Sequence, residues 1–200
     1  MKHEAAAPRD CAVFDGVRLR PGWVGCGLSY ASLARHALRH GLRRLTILED
    51  DALLPADFEE KMGTVHAYLD SKGDRWDIFS GLIANLDAGT QALSAEYFEG
   101  MRFVTINRMV STVCNIYSER ALRIMAQWDS NDRNDQTNTI DRFLERQTGL
   151  RVVVALPFLV GHRDDVYSTL WGFQNIQYND LIKNSQELLE RLAESVQSAE

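Results

Sequence analysis

Segments with a helical period alternate along this chain with short apolar runs, and this alternation limits the fold more than any other feature. From Ser29 the apolar residues fall on one face of a helix that Gly41 ends. The apolar run 45–48 follows as a short buried strand, expected near the centre of the sheet. Asp57 then marks the start of a second helix, with Glu60 three residues later, and the apolar residues of this helix form one buried stripe. Alternation of this kind predicts an α/β domain.

The rest of the chain continues this pattern and divides into a domain and a tail. Further strands are predicted over residues 76–83, 102–106, 110–117 and 151–156. Ser118 is expected to cap one more helix, and another covers residues 139–148 before Gly149. Residues 1–172 are predicted to form one domain. Residues 173–200 carry apolar side chains at helical spacing, which predicts a helical tail packed on that domain.

Charge and cysteine content exclude several classes of protein. The 200 residues carry a net charge of -6, so the chain has no general electrostatic attraction to nucleic acid. No apolar run is long enough to cross a bilayer, and residues 1–10 lack the apolar core of a secretory signal. Three widely spaced cysteines show no disulfide or metal-ligand pattern, which favours a reducing cytoplasm.

Three consecutive carboxylates, Glu49, Asp50 and Asp51, follow the strand at 45–48 directly. Acidic groups at the carboxyl edge of a strand face a cleft in open α/β sheets. Because like charges this close repel, they are costly unless a cation or solvent offsets them, and hard divalent cations favour carboxylate oxygen. A solvated turn that leads into the next segment fits the same spacing. The residues alone therefore leave a metal site and a turn open.

Other candidate residues are scattered along the chain, each with two readings. Asp141 is either a general base or an acid that favours a helix start, and Asp135 is its rival as the base. His162 is a third metal ligand, a phosphate contact or a surface group. Arg163 faces either a phosphate or solvent. Ser29 is expected to cap its helix, whose N-terminus can also receive an anion.

Several short motifs follow one another in a fixed order over roughly residues 14–170. They are residues 22–29 (GWVGCGLS), the strand ending in Glu49-Asp50-Asp51, and residues 54–58, 76–78, 139–144 and 155–160, with Asp164 and Ser168 after them. This combination closely resembles glycosyltransferase family 25. The chain departs from that pattern at two points. Tyr30 stands where the family has a histidine, and nothing before Asp10 resembles the apolar strand with which the family opens.

The resemblance implies a GT-A-like (Rossmann-like) mixed sheet flanked by helices, shortened at its N-terminus. It also implies that a sugar such as galactose is transferred, with inversion, from a UDP donor to a glycan or lipid-linked saccharide such as a lipopolysaccharide core. Peripheral contact with the inner face of the membrane would suit such an acceptor. Nucleic acid is not an expected partner.

The resemblance also assigns roles to the candidate residues. Glu49 and Asp51 would hold Mn²⁺ or Mg²⁺, with His162 as a further ligand. A second set would contact the donor: Asp50, Ser29 and Arg163. Asp141 would be the general base for the acceptor hydroxyl. Trp171, in a loop, is the tryptophan best suited to stack on a sugar ring.

Two other functions remain open at this point. A degenerate family member would bind a sugar nucleotide, a glycan or a partner without turnover, and Tyr30 and the absent opening strand favour it. A metal-dependent phosphohydrolase would use the same carboxylates. It would usually need further acids or histidines at other strand ends, and the sequence shows no such set.

Overall fold

The computed structural model describes residues 11–165, 176 and 178–197. The helices of this part of the chain are α1 (Gly22–Arg39), α2 (Phe58–Lys72), α3 (Glu119–Met125), α4 (Asp135–Asn138), α5 (Ile140–Glu145) and α6 (Tyr178–Gln197). The strands are β1 (Arg44–Leu48), β2 (Ala52–Leu53), β3 (Ile78–Ser80), β4 (Ala92–Phe98), β5 (Met101–Ile106), β6 (Cys114–Ser118), β7 (Val152–Leu156) and β8 (Gly161–His162).

Six of these strands form one mixed sheet in the order β1-β6-β3-β7-β5-β4. Strands β3 and β7 are parallel, and the other neighbours in the sheet are antiparallel. The two remaining strands, β2 and β8, form a separate antiparallel ribbon. The predicted α/β class is therefore confirmed as a mixed sheet with helices packed on it.

Alternate residues of the central strand β7 enter different cores, because successive side chains point to opposite faces of a sheet. Val152 and Val154 join a core with the apolar faces of α1, α3 and α5, to which Leu189 of α6 also belongs. Val153 instead joins the core beneath α2. The sheet therefore lies between two helical layers.

Helix α1 begins seven residues earlier than the sequence predicts, at Gly22. Glycines are typical of loops, but those in the first turns of α1 allow close packing. A Cβ at Gly27 would lie 2.3 Å from the Trp128 ring, and one at Gly25 would lie 2.2 Å from the Val17 carbonyl oxygen. The expected cap at Ser29 is consequently wrong. Ser29 lies inside the helix, where its hydroxyl donates to the Gly25 carbonyl and accepts from the Val17 amide.

Two further differences concern the strands. The sequence predicts the run 45–48 near the middle of the sheet, but β1 forms its edge, paired with β6 alone among the described strands. The sequence predicts only the second strand of the hairpin that β4 and β5 form. Its two-residue turn holds Glu99 at φ 46° and Gly100 at φ 80°. Positive φ at both positions is typical of a type I′ turn.

Other predicted elements are present with shorter bounds. Ser118 caps α3 by accepting a hydrogen bond from the Ala121 amide. The predicted helix at 139–148 ends earlier, at Glu145, and β7 stops directly before Pro157. In the tail, α6 packs its buried residues against β4 and the main core. Within the described residues, no helix combines the length and apolar character needed to cross a membrane.

Candidate functional site

The end of β1 brings Glu49 against a buried tyrosine. The Glu49 amide continues the sheet by donating to the Val113 carbonyl. Its carboxylate accepts a hydrogen bond of 2.8 Å from the hydroxyl of Tyr30, which also lies 3.1 Å from the Thr112 carbonyl oxygen. Only 4% of Tyr30 is exposed. One carboxylate of the triplet is therefore held by α1.

The ribbon of β2 and β8 joins Asp51 to His162 across more than a hundred residues of sequence. Ala52 pairs with His162 in the ribbon, and the Arg163 amide donates to the Asp51 carbonyl at 2.8 Å. This register brings His162 Nε2 to 3.3 Å from Asp51 Oδ2. The His162 side chain is only 6% exposed. The structure thus places two of the predicted metal ligands side by side.

Asp141 lies at the start of α5, where local hydrogen bonds fix its carboxylate. The Thr139 hydroxyl donates to Asp141 Oδ1 at 2.6 Å, and the Arg142 amide donates to the same oxygen at 2.8 Å. Asp141 is also close enough to Glu49 for its charge to raise the pKa of that carboxyl. It therefore serves the helix start, and its charge also acts on the Glu49 carboxyl.

Electrostatics show that these acids share one environment. Burial and then the charge of Asp51 raise the pKa of the Glu49 carboxyl to about 7, although hydrogen bonds from Tyr30 and Thr112 act in the opposite direction. Burial also raises the pKa of the Cys26 thiol, and the charges of Glu49, Asp141 and Asp51 raise it further. A bound cation would relieve this mutual repulsion.

Tyr178, at the start of α6, is a member of the site that sequence reasoning missed. Its ring meets that of His162 edge-on, with 5.4 Å between centroids. Burial raises the pKa of the Tyr178 hydroxyl, and the charges of Asp141, Asp51 and Glu49 raise it further. Helical spacing identifies Tyr178 as part of an amphipathic tail, but it carries no information about which site the tail reaches.

Tyr30 was noticed in the sequence only as a departure from the family motif. A signal for its position was present, because Tyr30, Ala34 and Ala37 fall at helical spacing and are all buried. Recognising that stripe required a helix starting before Ser29. The Gly-rich composition of residues 22–27 argued against one.

The remaining candidates lie in different surroundings. Asp50 is exposed in the turn between β1 and β2. The Arg163 guanidinium makes two hydrogen bonds with Asp165, at 3.2 and 3.1 Å. Asp135, the rival base, is exposed at the first residue of the short α4. Trp171 and Ser168 lie outside the described residues.

The donor atoms of this site are of types that bind a divalent metal, but few of these side chains lie close together. Among the described residues, no three His, Cys, Asp or Glu side chains are grouped closely enough to hold an ion. Mg²⁺ is often bound by only one or two carboxylates together with substrate phosphates. Asp51 and His162 offer the oxygen and nitrogen donors that Mn²⁺ accepts. A metal held by this pair would need further ligands from another molecule.

Comparison with known proteins does not assign the chain to a family. No protein-family model matches the sequence, and no curated protein matches it either. The resemblance to glycosyltransferase family 25 therefore rests on the motifs described above.

Proposed function

We propose that this chain is a metal-assisted glycosyltransferase with a GT-A-like fold, which transfers a hexose from a UDP donor to a glycan acceptor with inversion. One observation carries the proposal. Four residues that the resemblance assigns to one site come from distant parts of the sequence: the charges of Asp51 and Asp141 both act on the Glu49 carboxyl, and His162 lies against Asp51. Neighbouring acids of this kind are typical of sites that bind cationic or metal-bound ligands.

Each residue then has a role in the transfer. Asp51 and His162 would hold the metal, which neutralises negative charge on the leaving diphosphate. Glu49, which the resemblance also names as a metal ligand, has one oxygen engaged by the Tyr30 hydroxyl and would instead support that site. Asp50 and Arg163 lie on either side of this pair in sequence and are the proposed donor contacts. Ser29, buried within α1, would act on the donor only through the packing of that helix.

Asp141 is the proposed base, and its geometry sets what it must do. Oδ1 already accepts two hydrogen bonds, from Thr139 and Arg142. Oδ2 is therefore the oxygen that would take the proton of the acceptor hydroxyl as the new glycosidic bond forms. Inversion requires that hydroxyl to attack from the side opposite the diphosphate. We place the reaction in the cytoplasm, at the inner face of the membrane for a lipid-linked acceptor.

A degenerate member that binds without turnover is the second candidate, and the Tyr30–Glu49 contact favours it. In this contact the Tyr30 hydroxyl occupies Oε1 of a carboxylate that an active family member would use for the metal. Incubation with a panel of nucleotide sugars, Mn²⁺ and saccharide acceptors distinguishes the two. Sugar transfer supports the enzyme. Mn²⁺-dependent UDP binding without either transfer or donor hydrolysis supports the degenerate member. Absence of binding to every nucleotide sugar overturns the enzyme, and absence of binding to the saccharide acceptors as well overturns a degenerate member that binds sugars.

A further inference from the structure

Strand β1 lies at one edge of the six-stranded sheet that the described residues form. Among the residues that the structure describes, β6 is its single strand neighbour. Thr46, at the middle of β1, is exposed. Edge strands are usually protected by proline, by inward-pointing charge or by a bulge, because free backbone groups attract another strand. Strand β1 contains no proline, and its one charged residue, Arg44 at its first position, forms an ion pair with Asp70 of α2.

The hydrogen-bonding pattern identifies which backbone groups point outward. The Glu49 amide donates to the Val113 carbonyl of the adjoining chain segment, so Glu49 faces β6. Backbone direction alternates along a strand. Leu45 and Ile47 consequently face β6 as well, whereas Arg44, Thr46 and Leu48 direct their amides and carbonyls to the open edge.

The charges around β1 form a pattern that complements itself. Arg43 and Arg44 precede the apolar residues, and Glu49, Asp50 and Asp51 follow them. When two copies of this segment lie antiparallel, the basic end of each meets the acidic end of the other. Opposite charges across neighbouring strands stabilise such a pair, and a parallel arrangement would bring like charges together.

We propose that β1 pairs antiparallel with β1 of a second copy of this chain, with Thr46 on the two-fold axis. This register joins outward-facing residues, as an antiparallel ladder requires. It puts Leu45 opposite Ile47 and Arg43 opposite Glu49. Moving the register by two residues, so that Ile47 lies on the axis, would instead place Leu45 opposite the Glu49 carboxylate. The apolar match therefore favours Thr46 at the centre.

The pairing has a consequence for the acidic site. Arg43 of the second copy would lie across from Glu49 and diagonal to Asp51, where its guanidinium offsets the repulsion between those carboxylates. Each copy would thus supply a cation to the site of the other. This inference does not depend on the proposed transferase activity, because it follows from the edge and the charges alone.

Sedimentation over a concentration series, with the intact chain, tests the pairing. A five-residue strand contact is small, so we expect a weak monomer–dimer equilibrium that high salt weakens further. Thr46→Pro removes the two symmetric hydrogen bonds between the Thr46 residues and leaves the bonds to β6 in place. It should weaken dimerisation roughly tenfold or more. Thr46→Val, which keeps the amide, should dimerise like the wild type.

A charge variant and an exchange measurement complete the experiment. Arg43→Glu should weaken the dimer, whereas Arg133→Glu, in an exposed loop, makes the same change of charge without effect. At dimer concentrations the Thr46 and Leu48 amides should exchange more slowly with deuterium, while the Ile47 amide is protected at every concentration. A wild-type chain that stays monomeric throughout, or a Thr46 amide whose exchange ignores concentration, overturns the proposal even where Thr46→Pro fails to fold.

Discussion

The carboxylates in two regions of this protein have opposite electrostatic surroundings. Asp77, only 1% exposed, accepts hydrogen bonds from Arg120 Nη1 at 2.7 Å and from the Arg151 amide at 2.8 Å. Both arginine side chains also form ion pairs with it. At the end of β1, by contrast, the charges of Asp51 and Asp141 both raise the pKa of the Glu49 carboxyl. One carboxylate is neutralised by cations, whereas the others crowd together.

This contrast separates structure from function. A buried carboxylate with arginine partners and backbone donors is satisfied within the fold, so it holds β3 to the start of β7 and needs no ligand. Carboxylates that repel one another lower the stability of the fold, and such an arrangement is typical of a binding or catalytic site. The sequence alone did not separate Asp77 from Asp51, since each lies at one end of a short strand.

The largest expected effect is on turnover, from Asp141→Asn. The amide cannot take the proton of the acceptor hydroxyl, so turnover at saturating donor should fall by about 10²–10⁴-fold while UDP binding is retained. Asp135→Asn, at the exposed start of α4, is the matched control and should stay within about twofold of the wild type. Near-normal transfer by Asp141→Asn would leave that residue only its role at the helix start, worth roughly 0.3–1 kcal/mol.

Replacing the satisfied carboxylate should affect stability instead of binding. Asp77→Asn removes the charge that Arg120 and Arg151 neutralise, and it presents an amide to donors that need an acceptor. Loss of one partner of a buried pair costs about 3–5 kcal/mol. Both arginines are partly exposed and can turn to solvent, so we expect about 2–3 kcal/mol. Urea unfolding measures the loss, and unchanged stability would remove Asp77 from this comparison.

Asp51→Asn should give the opposite result. It removes a proposed metal ligand and relieves repulsion with Glu49, although it also weakens the contact with His162, so the free energy of unfolding should stay roughly level. Affinity for UDP in the presence of Mn²⁺ should fall by roughly 100-fold or more, because even groups that only support a ligand cost 10–100-fold. Titration calorimetry with UDP, with and without Mn²⁺, measures the affinity, and urea unfolding measures the free energy of unfolding. If the variant binds like the wild type, Asp51 is not a ligand.

The sequence predicted the parts of this molecule that depend on local pattern. The α/β class, the buried stripe of α2 and the cap at Ser118 follow from spacing and capping chemistry, and all three are present. The start of α1 did not follow, because its glycines fit close contacts with Trp128 and Val17 that exist only in the folded chain. Tertiary packing overrides local propensity at such positions.

The candidate site divides in the same way. The triplet at 49–51 was visible as a run of acids after a strand. Its contacts were not, since the Asp51–His162 pair depends on the register of a two-residue ribbon and Tyr178 depends on where α6 docks. The sequence did not indicate the edge position of β1 either, because a largely apolar run such as 45–48 is typical of a central strand.

The smallest expected effect sharpens the comparison with a paired carboxylate at the surface. Glu96 accepts hydrogen bonds from Lys72 and from Tyr68, and its side chain is 41% exposed. Burial raises the pKa of its carboxyl, but the bonds from Lys72 and Tyr68 outweigh burial and hold that pKa below its usual value. Because the folded pKa is depressed, the stabilisation is fully present above the unfolded pKa of about 4.3 and is lost as pH falls through the folded value.

Solvent screening limits this stabilisation to less than about 1 kcal/mol. We expect Glu96→Gln to be slightly less stable than the wild type at neutral pH, with the difference shrinking below about pH 4. A cycle with Lys72→Met and the double variant, followed by urea unfolding at several pH values, isolates the coupling from other groups. A coupling that persists undiminished at pH 3 would show that Glu96 is held by packing and not by charge. The difference in stability loss between Asp77→Asn and Glu96→Gln would then not measure how burial strengthens an ion pair.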